Sequence, residues 1–232
     1  SNQSKGAKSL HFRVEKIIIH PAHKVAQNTA LLQTSCLYYF LLCPLKPLCY
    51  VILIIRYSTF ILQTGILDYD IALMKIKGRI PYIWNKSVPA SLPTSRLSKQ
   101  WPSVGTKCII VGWGCTQYGG KGADTASVIE LEVSSTRLCY LIFRVDLQHE
   151  FCAGYYKLGK GTCMTHSWNI PPFLLRIQQG DSGNGLICKH HGTMTIAGIS
   201  SSVHSSKPES FPSIFVRVTS VIDWIRTEMA QN

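Results

Sequence analysis

Apolar side chains at every second position, in short runs fenced by glycine and proline, constrain this chain more than any other feature. Ile129, Leu131 and Val133 alternate with Glu130 and Glu132, the period of a strand with one buried and one wet face. Ile214, Val216 and Val218 repeat the pattern, and Cys108 to Val111 and Met194 to Ile199 are short apolar runs bounded by glycine. The period changes only near the end, where Val221, Ile222, Ile225 and Met229 share one helical face and Ser220 is placed to cap it. The expectation is an all-β architecture, a closed or sandwiched antiparallel sheet, with a C-terminal α-helix.

At 232 residues the chain is long enough to bury a core, as one large domain or two small ones. Only 16% of residues are charged and 10% are aromatic, which excludes wholesale disorder. The net charge of +12 raises nucleic acid as a partner. The basic residues are scattered, however, without a basic helix or an RNA-binding aromatic motif. A diffuse basic surface and no nucleic-acid partner are therefore expected.

Nine cysteines occur, none in a Cys-x-x-Cys pair, so the usual zinc and redox spacings are absent. Disulfides in an oxidising compartment are the expectation, and Asn85-Lys86-Ser87 is a glycosylation sequon that agrees with it. Cys188-Lys189-His190-His191 has no second ligand pair and is expected to be a solvated turn, with no metal bound. Ser1 to Lys8 is polar and no apolar leader follows, so no signal peptide is expected within the chain.

Two segments differ from the rest. Val25 to Gln63 is crowded with Leu, Ile, Tyr and Phe and holds Cys36, Cys43 and Cys49. Pro44, Lys46 and Pro47 break it into runs well below the ~20 residues of a membrane span, so none is expected. Met164 to Gln178 places Trp168, a Pro171-Pro172 pair and Phe173-Leu174-Leu175 in an apparent loop.

The chemistry concentrates in Gln179-Gly180-Asp181-Ser182-Gly183-Asn184. A serine flanked by glycine on a sharp turn can present its hydroxyl outward. The N–H groups of Gly180 and Ser182 can then converge on the oxyanion of a tetrahedral intermediate. Upstream, Asp68-Tyr69-Asp70-Ile71-Ala72-Leu73-Met74 carries a carboxylate into an apolar run, where it needs a donor such as an imidazole. Between the two lie Cys108-Ile109-Ile110-Val111-Gly112-Trp113-Gly114 and Phe151-Cys152-Ala153-Gly154-Tyr155. Val216-Arg217-Val218 and Asp223-Trp224-Ile225 follow them.

In this order and spacing the motifs resemble the trypsin/chymotrypsin family of serine endopeptidases, over residues 9 to 24 and 64 to 232 apart from Met164 to Gln178. The resemblance implies a trypsin-like double antiparallel β-barrel with the C-terminal helix packed on the second barrel. It implies Ser182 as nucleophile, Asp70 as the group orienting a histidine, and Gly180 with Ser182 as oxyanion hole. It also implies disulfides Cys108–Cys188 and Cys139–Cys152, polypeptide substrates, protein protease inhibitors as partners, a secreted monomer, and no cofactor. Cys163 is left without its usual family partner, and Cys115 is a substitute.

Substrate contacts follow from the same resemblance. Gly161 falls at the floor of the primary pocket, with Thr162 and Gln179 beside it. Ser200, Ser201 and Ser202 form the strip that pairs with the substrate backbone, and Ser202 and Ser213 narrow the pocket walls. An uncharged P1 residue is expected, since no carboxylate stands at position 161 to meet Lys or Arg.

The chain also departs from the family. No Thr-Ala-Ala-His-Cys segment precedes Asp70, and His20 and His23 resemble a later strand. The Ile-Val-Gly-Gly start, whose amine pairs with the Asp181 position, is absent too, so the first barrel is expected to be largely missing and this chain inactive. Residues 25–63 and 164–178 stand as inserts within the 1–232 partial domain. Their composition suits translated introns, the alternative being genuine surface loops, and removing the first leaves an even six cysteines. Besides the proteolytic reading stand a non-catalytic homologue acting as a protein-binding module, and a chain that the second insert prevents from folding.

Overall fold

The computed structural model describes residues 12–23, 40–42, 49–53, 69–82, 88–94, 97–112, 126–156, 183–203 and 210–232; residues 40–42 and 49–53 are described by their backbone alone. Chain order runs β1 Val14–Ile19, β2 Phe40–Leu42, β3 Cys49–Leu53, β4 Ala72–Ile76, β5 Lys107–Gly112 and β6 Ser127–Glu132. It continues through α1 Thr136–Phe143, β7 Glu150–Ala153, β8 Gly185–His190, β9 Thr193–Ser202, β10 Ser213–Arg217 and α2 Val218–Gln231. The strands form a four-stranded sheet, β1-β4-β3-β2, and a six-stranded sheet, β6-β5-β8-β9-β10-β7, all paired antiparallel. A bridge between Val133 and Ala153 joins the two outer strands of the larger sheet, which curls towards a barrel. A mostly β fold with a C-terminal helix is what the alternation predicts.

The alternation works as expected in β6, where Leu131 is fully buried and Val128 is exposed. In β10 every residue is buried, because the strand has a core on each side. Phe215 packs with Ile110, Leu131, Phe151 and Leu186 inside the curled sheet. Val216 instead joins Val221 and Ile225 of α2, together with Ile196, Ile199, Ile71 and Leu73. Each such aliphatic or aromatic side chain contributes about 1.5–3 kcal/mol on burial. Disulfides join Cys108 to Cys188 across the β5–β8 register and Cys139 of α1 to Cys152 of β7.

Two local features differ from the sequence pattern. The terminal helix begins at Val218, directly out of β10, and Ser220 does not cap it; its hydroxyl donates to the Arg217 carbonyl at 2.7 Å. Burial explains the earlier start, since Val218 already faces the core that Val221 and Ile225 share. A short helix, α1, also stands among the strands. Ser135 accepts the Leu138 N–H at its start, and Arg144 closes it in the left-handed region at φ 57. Within the first odd segment, β2 and β3 are strands, and β3 pairs with β4 along its whole length. Residues 164–178 lie outside the described residues.

Candidate active site

Asp70 is set by a tight turn at the entrance to β4. The Ile71 N–H donates to the Tyr69 carbonyl at 2.7 Å, and Tyr69 itself lies in the left-handed region at φ 59. A non-glycine residue in that region costs of order 1–3 kcal/mol, so neighbouring contacts must hold it. The Tyr69 ring stacks on His20 at 4.4 Å, and its hydroxyl shares a 2.7 Å hydrogen bond with His149 Nε2. Asp146 Oδ2 accepts from His149 Nδ1 at 2.7 Å, which fixes the imidazole. Burial works to raise the Asp146 carboxyl. The Gln148 N–H and His149 outweigh it and hold the carboxyl below its usual value.

The turn delivers Asp70 into the interior, where it is 1% exposed. Its Oδ2 accepts from the Ser201 hydroxyl at 2.7 Å. A buried carboxylate needs such donors, because burial without them is expensive. Ser201 is fully buried on β9 with its side chain committed to Asp70. Its neighbour Ser200 is buried too, whereas Ser202, at the end of the strand, is partly exposed. Ser213 is buried at the start of β10, opposite Ala153.

The segment that follows Ser182 docks against the same strand. The Gly183 N–H donates to the Ser200 carbonyl, and the Ser200 N–H donates to the Asn184 carbonyl, both at 2.8 Å. Gly183 has φ 90, a conformation that a side chain would strain. Thus the residue after Ser182 and the donor to Asp70 meet at the C-terminal half of β9. Ser182, Gly180, Gln179, Gly161, Thr162, Asp181, Cys115, Cys163 and the Asn85 sequon lie outside the described residues.

His20 has another task. Its ring lies between Tyr69 and Trp224, and its Nδ1 accepts the Ala22 N–H at 3.2 Å. Burial first, and then the nearby His149 and His23, lower its pKa to about 4, so it is neutral at pH 7. Tyr69, His149 and Asp146 are site-shaping residues that sequence reasoning passed over. The only sequence trace of them is the Asp146-x-x-His149 spacing and a tyrosine just before the buried Asp. Among the described residues no cluster of three or more His, Cys, Asp or Glu could hold a metal, and no helix is long and apolar enough to cross a membrane.

The chemical capacity of this arrangement is that of a fixed acceptor. A buried carboxylate that accepts from a hydroxyl at low dielectric can also orient a protonated ring nitrogen.

The chain is similar to known proteins. The family model described as Trypsin matches residues 50–167 and 175–225. Transmembrane protease serine 9 of Rattus norvegicus is 28% identical over 162 residues, which are 68% of this chain and 13% of that protein. Trypsin V-A of Rattus norvegicus is 26% identical over 166 residues, 71% of this chain and 57% of that one. A solved structure of GrC superposes with a TM-score of 0.56 at 26% identity, covering 71% of this chain and 62% of its own. The chain therefore spans less than two thirds of each of these proteins.

Proposed function

The chain belongs to the trypsin family of serine proteases, and on that premise we propose that it carries part of a serine endopeptidase site for polypeptides with an uncharged P1 residue. In this reading Ser182 attacks the scissile carbonyl, the N–H groups of Gly180 and Ser182 stabilise the oxyanion, and Asp70 orients the imidazole that takes the serine proton. The proton passes to the leaving amine, and water then releases the acyl group by the reverse path. Gly161, Thr162 and Gln179 shape the primary pocket, Ser213 and Ser202 narrow it, and Ser200 to Ser202 flank the substrate backbone. The family carries over a secreted, monomeric protein that meets protein inhibitors as well as substrates.

One observation carries the proposal: the 2.7 Å bond from Ser201 to the buried Asp70, on the strand where Gly183 docks. That pair suits a catalytic imidazole, which a fixed, buried carboxylate can orient. No Thr-Ala-Ala-His-Cys segment occurs in these residues. Without its histidine a triad retains roughly 10³- to 10⁴-fold catalysis over water, so the 232 residues by themselves are proposed to be inactive. Residues 25–63 and 164–178 are proposed as inserts of retained-intron type.

A fluorophosphonate probe tests the site. The chain alone, folded by circular dichroism, should not label at Ser182. A transcript product that carries the histidine segment and lacks both inserts should label and should cleave peptides after uncharged residues. Labelling of the chain alone would overturn its inactivity, and cleavage after Arg would overturn the pocket reading. A transcript with another residue at the histidine position would leave a binding module in place of the enzyme.

A further inference from the structure

We propose that the cavity beside Arg217 is a binding site for a small apolar carboxylate, separate from the Asp70 region and independent of the proteolytic reading. Arg217 is 2% exposed and ends β10. Its Nη1 donates to the Gln100 carbonyl at 2.8 Å, and its Nη2 to the carbonyls of Glu150 at 3.2 Å and Leu147 at 3.5 Å. Its Cζ lies 4.9 Å from the centre of the Phe151 ring. Carbonyls and a ring face share the charge but do not neutralise it. Among the described residues no carboxylate pairs with this guanidinium, and its Nε–H has no hydrogen-bond partner. Burial lowers Arg217 only to about 10, which leaves it a cation at neutral pH.

A buried cation without an anion is costly, and a buried donor without an acceptor adds to that cost. Arg217 forms part of the wall of a cavity of about 220 Å³. The remaining wall is apolar at Pro102, Val133, Leu147, Phe151 and the Cys139–Cys152 disulfide, with hydroxyls from Ser103 and Ser134. Helix α1 starts here: Thr136 lines the cavity, and no acidic side chain occupies the first turn to offset the positive end of the helix dipole. The wall thus combines a guanidinium and a helix start with mostly apolar side chains. A carboxylate on a small hydrocarbon or aromatic body satisfies both requirements, and the volume suits a fragment-sized ligand more than a drug-sized one.

The probes are sodium benzoate and its neutral isostere benzamide, titrated into the isotopically labelled chain and followed by NMR. Benzoate should shift Val133, Leu147 and Phe151 saturably, and benzamide should bind at least about tenfold more weakly, because it cannot meet the guanidinium with charge. Removing Arg217 would also free three backbone carbonyls, so the mutational arm uses Val104→Trp. Val104 lines the cavity and is 56% exposed, which puts it at the mouth, where a larger side chain blocks entry without disturbing the core. The variant should keep the wild-type spectrum and lose the benzoate shifts. Equal binding of the two probes, shifts elsewhere on the surface, no shift with either, or full binding by Val104→Trp would each overturn the proposal.

Discussion

The two sheets hold themselves together in different ways. The larger sheet has its own interior, with Phe215, Leu131, Ile110 and Leu186 at or near zero exposure, and is linked through both disulfides. In the smaller sheet, β1 leaves its first four residues exposed, with Val14 and Ile17 each at 38%. Its neighbour β4 is buried, and its Leu73 packs with Ile196 and Ile199 of β9 and Val221 and Ile225 of α2. On that face the smaller sheet thus shares a core with the larger one. Asp70 stands at that border: its donor comes from β9, and its own strand is anchored by the larger sheet's apolar cluster. The end of β1 reaches the same place, since the His20 ring stacks on Tyr69 and its backbone N–H donates to the Ile71 carbonyl at 3.1 Å.

The largest effect should follow from opening the larger sheet. Cys108 and Cys188 are 80 residues apart in sequence, and a loop of that length gives a disulfide worth about 4–5 kcal/mol, against about 3 for one that spans 13. Paired Cys→Ala variants, unfolded in urea, should therefore rank Cys108/Cys188 as the costlier loss. Equal midpoints would break the picture of β5 and β8 as the staple of the fold.

Next comes the border itself. Ser201→Ala deprives a carboxylate at 1% exposure of its hydroxyl donor and should cost about 1–3 kcal/mol in urea midpoint terms. Stability unchanged by this substitution would mean that Asp70 is held from elsewhere, and the border would lose its role.

How much of this was legible differs between the same two regions. In the larger sheet, alternation at Ile129–Val133 locates a strand with one buried face, and the apolar runs at Cys108 and Met194 locate strands bounded by glycine, of which β9 is buried on both faces from Thr195 to Ser201. Asp70 is legible for a related reason, since an acidic residue entering a run of buried aliphatics must have a partner. That the partner is Ser201 is not legible: one hydroxyl in Ser200-Ser201-Ser202 looks like another until the strand's facing is known. The Tyr69–His149–Asp146 chain is hidden because Tyr69 lies 80 residues from His149 and meets it only through the fold. β3 escaped notice because its pattern lacks alternation, and its pairing with β4 fixes it instead.

Acid should sharpen the comparison further, because His20 follows β1 yet packs on Tyr69 at the border. Its folded-state pKa of about 4 lies below the ordinary 6.5, so the unfolded chain binds the proton first. Stability is then lost as pH falls from about 6.5 towards 4 and is unaffected by this group above that window. His20→Phe keeps a ring against Tyr69 and removes the titration. The difference in Tm between the two proteins should change across that window and be flat at higher pH; a constant difference would mean that the imidazole titrates as it does in water.

The smallest effect belongs to β1. Ile17 sits opposite Met74 in the register but is 38% exposed, so Ile17→Ala removes little that is shielded from water. The strand is held instead by its ladder to β4, by Ile18 packed on the apolar cluster of Leu73, Ile196 and Val221, and by Lys75, whose ammonium meets Glu15 at 2.9 Å and the Asn232 carbonyl at the end of α2 at 2.7 Å. A cation at a helix C-terminus gains a few tenths of a kcal/mol up to about 1, comparable with a half-exposed ion pair. Ile17→Ala should then shift stability by no more than about 0.5 kcal/mol, with Lys75→Met costing more despite carrying no core contact. The reverse ranking in urea would show that the apolar side chains of β1 hold it more firmly than its polar ties to β4 and α2 do.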